Sequence, residues 1–170
     1  MNYNNNQNNI LLNKLLIYYQ EDNNMQKLIN ILNETNNISL RLIDWFVTNY
    51  SKTKYISYTI DDKTFNVFQS YKLMGKSFKK KKFDPFCRGD RILLTHDNQN
   101  FETTIGQLNF FKWAFTNNIV DYIIQNREFL KNEHTNFVKE NKNKIKNKNV
   151  DVNAILNVYD KNVEIVASFN

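Results

Sequence analysis

One cysteine, one proline and three glycines are all that this chain of 170 residues holds of the amino acids that staple, break or hinge a backbone. With Cys87 alone, no intrachain disulfide can form, and no cysteine cluster can hold zinc or an iron–sulfur centre. So little Gly and Pro points to long regular elements with short connections. Gly75, Gly89 and Gly106 stand apart from one another, so there is no glycine-rich loop to cradle nucleotide phosphates. Histidine is just as sparse: His96 and His134 lie at no metal-ligand spacing from each other or from Cys87. No stretch approaches the roughly 18 apolar residues of a membrane span. The opening segment MNYNNNQNNILLNKLLIYY has neither the basic leader nor the small-residue cleavage site of a signal peptide. The expectation is a soluble chain that is not secreted and has no metal, no cofactor and no membrane partner.

Aromatic residues and asparagine are abundant instead. Thirteen Phe, nine Tyr and two Trp can fill a core with few aliphatics. Asparagine occurs 31 times, often in runs. Because Asn, Lys, Ile, Phe and Tyr share AT-rich codons, genome base composition explains the runs better than a prion-like role. The length fits one domain, burying about two-thirds of its unfolded surface. The organisation expected is a disordered Asn-rich lead-in over 1–9, then a single domain over 10–170 with a Lys/Asn-rich tether at 139–149.

Charge is concentrated. Residues 70–94, SYKLMGKSFKKKKFDPFCRGDRILL, carry Lys72, Lys76, Lys79, Lys80, Lys81, Lys82, Arg88 and Arg91 against Asp84 and Asp90. A second run holds Lys139, Lys142, Lys144, Lys146 and Lys148 against Glu140. Since the whole chain has a net charge of only +6, the rest of it is net acidic. Positive charge gathered in this way suits a polyanion.

The apolar spacing predicts helices over 10–20 and 24–34, and a third over 39–50 with Ser39 as its N-cap. Alternation then predicts a hairpin of 55–60 with 64–70 around a turn at 61–63, and a second of 91–96 with 101–104. Between them a short helix runs through Leu73 and Phe78, ended by Pro85. Thr104 and Gln107 have capping-box spacing, which should start the longest helix and carry it through Leu130. The chain closes with a short helix at 151–158 and a strand at 162–169. This is an α+β fold: a small, mainly antiparallel sheet against several helices, a helical N-terminal third and one long helix after the second hairpin.

The candidate site is the basic–aromatic block. Its cations and the second run, Lys142 to Lys148, would follow phosphates, while Phe83 and Phe86 are the rings placed to stack on bases. The bland alternative has Phe83 and Phe86 in the core and the lysines merely solvated. Arg88, Gly89 and Asp90 read as a turn, with positive φ at Gly89 and Asp90 paired to Arg88 or Arg91, in preference to an adhesion motif. A thiol–imidazole pair of Cys87 with a histidine has thin support beside an idle cysteine. Asp44 reads as a helix-surface residue, and LNFFKWAF as a helix buried on several sides, in preference to one with a face presented to a partner protein.

Several segments resemble a known family: LRLIDWFVTNYSK (40–52), FNVFQSYK (65–72), KKFDPFCRGDRI (81–92), ETTIGQLNFFKWAFTNNIVDYI (102–123) and NVEIVASF (162–169). They are similar to a family of small proteins from nucleocytoplasmic large DNA viruses, mimivirus-like and algal. The chain departs from it at Gly89, where the family has a second basic residue after the cysteine, and at Asn170, where it tends to have Asp. The resemblance implies a viral setting, in the host cytoplasm at the viral factory or in the virion, and supplies no catalytic residue. Two functions follow. One is non-specific nucleic-acid binding in viral gene expression or genome packaging. The other is a non-enzymatic interaction or structural subunit of a virion or transcription assembly, its basic block meeting an acidic viral protein.

Overall fold

The structure, a computed structural model, describes residues 3–159, with side chains over 8–145. The chain divides into two compact units, residues 1–130 and 131–170. The architecture is α+β. Helices α1 (Tyr3–Gln20) and α2 (Asn24–Leu32) open the first unit. Helix α1 begins at Tyr3, where a polar lead-in was expected through residue 9. Asparagine is a mediocre helix former, not a breaker, and adding a residue to an existing helix costs far less than starting one.

The helix expected over 39–50 is three pieces: α3 (Leu40–Trp45), a π-helical turn (Phe46–Tyr50) and the short α4 (Ser51–Thr53). Ser39 caps it, its side chain accepting from the Leu42 amide. Within the wide turn, Thr48 and Ser51 hydroxyls donate to the carbonyls of Asp44 and Val47 at 2.7 and 2.8 Å. Such back-bonding competes with the helical ladder.

Both hairpins form, as separate two-stranded antiparallel sheets: β1 (Ser57–Ile60) with β2 (Lys63–Asn66), and β3 (Arg91–His96) with β4 (Gln99–Thr104). Each turn has two residues with positive φ, Asp61 and Asp62 in the first, Asp97 and Asn98 in the second. Short polar side chains tolerate that conformation, and such turns match strand twist. Strand β2 stops short of residue 70 because Asn66 caps helix α5 (Val67–Phe78), accepting from the Gln69 amide.

Helix α6 (Ile105–Thr116) is the hub, with Gly106 to Phe111, Trp113 and Ala114 buried. Leu15 and Tyr19 of α1, Leu28 of α2, and Ile43, Phe46 and Val47 are also in the core. The Tyr19 hydroxyl donates to the Leu108 carbonyl at 2.7 Å across 89 positions of sequence. The long helix expected from Thr104 onward breaks at Asn117 and Asn118, where Asn118 adopts φ 53°. Helix α7 (Ile119–Gln125) follows, then α8 (Arg127–Tyr159). The segment 139–149, expected as a tether, lies within α8, as does 151–158. The expected strand at 162–169 lies outside the described residues.

Candidate nucleic-acid interface

The basic block is laid against the start of α6 by its own backbone. Helix α5 ends at Lys79, whose φ of 60° and ψ of 151° belong to a region that L-residues rarely occupy. Helix α5 therefore stops well before Pro85, and the chain turns through a 3₁₀ turn, Lys80–Lys82. Three fastenings hold this turn. Asn109 Nδ2 donates to the Lys82 carbonyl at 2.9 Å, the Asp84 amide donates to the Gly106 carbonyl at 3.2 Å, and Gln107 Nε2 donates to the Pro85 carbonyl at 2.8 Å. Gly106 is required by the approach itself: a Cβ there would lie 2.8 Å from the Lys81 carbonyl oxygen.

The Thr104 hydroxyl caps α6 by accepting from the Gln107 amide, as expected. The side chain of Gln107 goes elsewhere, accepting from Thr103 and donating to Pro85. Thus the capping residue and the helix start are tied to the basic turn by one glutamine.

A cleft of about 760 Å³ opens here. Lys80, Lys81, Lys82 and Arg88 line it, together with Asp84, Gly89 and Asp90, residues 104–106, and Asn8 from α1. The cations differ in state. Arg88 is engaged by Asp84 through two hydrogen bonds of 2.8 and 2.6 Å, and its guanidinium lies 4.8 Å from the centre of the Phe86 ring. Arg91 is engaged by Glu102 across the β3–β4 hairpin. Among the described residues no lysine forms an ion pair, and of Lys79 to Lys82, Lys80 acts on a carboxylate, Asp44, from beyond ion-pair distance.

Several expected site residues move. Phe83 is only 3% exposed, packed against Tyr71, Phe78, Phe110 and Trp113 at centroid distances of 5.3 to 6.4 Å. It is a core anchor and offers no face to a base. Phe86 is half-buried, with Arg88 over its ring. Gly89 has no positive φ, and Asp90 pairs with neither arginine, since Asp84 and Glu102 hold them. Lys72 and Lys76 lie exposed on α5, away from the cleft lining. Lys142 and Lys144 are exposed on α8, in the second unit, and the side chains of Lys146 and Lys148 lie outside the described residues.

Two residues were missed. Asn8 sat in the run dismissed as lead-in. Its Oδ1 is buried with no hydrogen-bond partner. Asp44 is half-buried, and its pKa is raised, first by burial and then by the Asp84 charge, against the pull of Arg88 and Lys80. The same carboxylates, after burial, raise Tyr71. Burial pushes the Cys87 thiol up too, which opposes thiolate formation. Among the described residues no group of three or more His, Cys, Asp or Glu side chains is placed to hold a metal ion, and no helix is long and apolar enough to cross a membrane.

Fold and site together define a helix-dominated α+β protein packed around α6, with a cleft at its start lined by three lysines, Arg88 and two aspartates. The chain belongs to a family of unknown function, DUF7197, whose model matches residues 1–168. It is 35% identical over 130 residues to "Uncharacterized protein L507" of Acanthamoeba polyphaga mimivirus, covering 71% of this chain and 50% of that protein. The chain thus spans about half the length of this curated relative. No solved structure matches.

Proposed function

We propose that this protein binds nucleic acid through the cleft at Lys80–Lys82, by electrostatic contact with the phosphate backbone. The observation carrying this reading is that the three lysines of the cleft form no ion pair while both neighbouring arginines do, so Lys80 to Lys82 outnumber the one cleft carboxylate, Asp90, that no arginine holds. An unmatched cluster of ammonium groups on a fixed turn attracts phosphate and releases its counterions, without reading sequence. The start of α6 adds a favourable dipole at the same place. The exposed Lys142 and Lys144 supply further positive charge on α8. In a giant-virus setting, mimivirus-like or algal, the role would be gene expression or genome packaging, in the viral factory or the virion.

The test is anisotropy of labelled oligonucleotides at roughly 50 and 200 mM salt, beside a variant with Lys80, Lys81 and Lys82 changed to Ala. Micromolar or tighter binding that salt and the variant both weaken is the expected result. No binding at the lower salt overturns the proposal.

A second reading has its own support. Among the described residues each sheet has two strands, and Leu93 on β3 is 65% exposed. A hairpin with open edges suits strand addition by a protein partner, with an acidic viral protein meeting the lysines. Pull-down that survives high salt and nuclease treatment would favour this subunit role.

A further inference from the structure

Charge alone would be served by any flat basic surface, yet here the lysines line a cavity. Its volume of about 760 Å³ falls within the ~300–1,000 Å³ typical of sites that enclose a small molecule. In a duplex each base is held by its pair and its stack, and must be pulled out to reach such a space. A nucleotide of an unpaired strand can enter without that cost.

The second observation is Asn8. Its Oδ1 is shielded from solvent without a donor, in a residue that lines the same cleft. An unpaired buried acceptor costs free energy until a donor reaches it. The terminal torsion of an asparagine is broad, so the amide can turn towards the cavity. A phosphodiester cannot be that donor, since it has only acceptor oxygens. The nucleoside can, through a base N–H or, in RNA, the 2′-hydroxyl.

The third is the loss of the stacking platform. Phe83 is in the core, Arg88 covers one face of Phe86, and neither ring lines the cleft. Recognition beyond the phosphate then falls to hydrogen bonds.

We infer that the cleft takes one nucleotide of a single strand, its phosphate against Lys80–Lys82 and its nucleoside donating a hydrogen bond to Asn8. This rests on the nucleic-acid reading and deepens it. The experiment measures anisotropy for roughly 12-nucleotide RNA and DNA strands of one sequence and for the matching DNA duplex, at low salt. Wild type is compared with Asn8→Leu, Asn8→Ser and the triple lysine variant.

Single strands should bind more tightly than duplex. Asn8→Leu should weaken single-strand binding about 3- to 10-fold with an unchanged salt slope, and leave duplex binding alone. Its thermal melt should be at or above wild type, because the lost acceptor had no partner and its burial was a cost. Asn8→Ser, which keeps an acceptor, should recover part of the loss and separates this contact from misfolding. A loss on RNA alone identifies the 2′-hydroxyl as donor, and a loss on both strands identifies the base.

Duplex binding as tight as single-strand binding, or an Asn8→Leu variant equal to wild type, overturns the inference. The broader reading still stands in that case if the triple lysine variant loses salt-sensitive binding. Wild type that binds no oligonucleotide overturns both.

Discussion

The two basic runs are both lysine-rich and hold their charge in opposite ways. Around Lys80–Lys82 the backbone is fastened to α6 by Asn109, Gln107 and the Gly106 carbonyl, over an aromatic cluster centred on Phe83. In the second run, Lys142 and Lys144 are exposed on α8, a helix whose sequence is mostly polar. Charge on a fixed backbone reaches a ligand with less ordering left to do, so more of its attraction survives as affinity. Charge on a solvated helix adds to the field but selects little. If the comparison is sound, disturbing the fastening should harm stability and binding together, whereas trimming α8 lysines should lower affinity with stability changed by no more than about 0.5 kcal/mol.

The largest blow to that fastening is Phe83→Ala. Removing a fully packed ring from the Tyr71, Phe110 and Trp113 cluster should cost about 3–5 kcal/mol, measured by urea unfolding. A surface ring available for base stacking would cost far less, so a loss under about 1 kcal/mol would return Phe83 to the binding surface. Gly106→Ala comes next. Its Cβ would meet the Lys81 carbonyl oxygen at 2.8 Å, a backbone atom that no rotamer change can move aside, and the resulting strain should cost about 1–3 kcal/mol while displacing the lysine turn. Gly75 is the control. A Cβ there meets nothing within 4 Å, so Gly75→Ala in α5 should gain about 0.5–1 kcal/mol.

Lys79→Gly should act in the other direction. Lysine at φ 60°, ψ 151° is strained, and glycine accepts that conformation freely. After the greater entropy of an unfolded glycine is set against it, a net gain of about 1 kcal/mol is expected, with modestly weaker polyanion binding from the lost charge. A variant that is destabilised would show that the lysine side chain itself holds the turn.

Most elements could be read from local signals, and the misses share one cause. Ser39 and Thr104 as caps, both hairpin turns and the buried LNFFKWAF helix follow from spacing and residue type. The early end of α5, the break at Asn118 and the helical 139–149 segment turn on single-residue conformations or on propagation, which periodicity does not report. At the site, the basic block was visible as composition. Which cations stay unmatched was not, because Asp84 and Glu102 reach their arginines only once the loop and hairpin have folded. Gly106, two residues after the Thr104 cap, was a usable clue, since a glycine in a first helical turn signals close approach of another backbone. Asn8 gave none: one asparagine in a run of asparagines looks like every other.

The smallest effect expected is a change of slope, at Asp44. Its carboxyl is half-buried and faces the Asp84 charge, so its folded pKa lies above the unfolded value. The native state then holds a proton that the unfolded state has already released over the interval between the two values. Stability from this group is therefore greatest below the unfolded pKa and is lost as pH rises through the raised folded pKa. Asp44→Asn keeps the shape and removes the titration. The variant should be at least as stable as wild type near neutral pH, and its unfolding midpoint should vary less between mildly acidic and neutral conditions. Arg88 and Lys80, which favour the charged carboxylate, work against this, so the outcome weighs the two influences directly. A variant less stable at neutral pH would show that attraction to those cations outweighs burial and the repulsion of Asp84. In that case Asp44 would belong with Asp84 as a carboxylate that holds the basic turn in place.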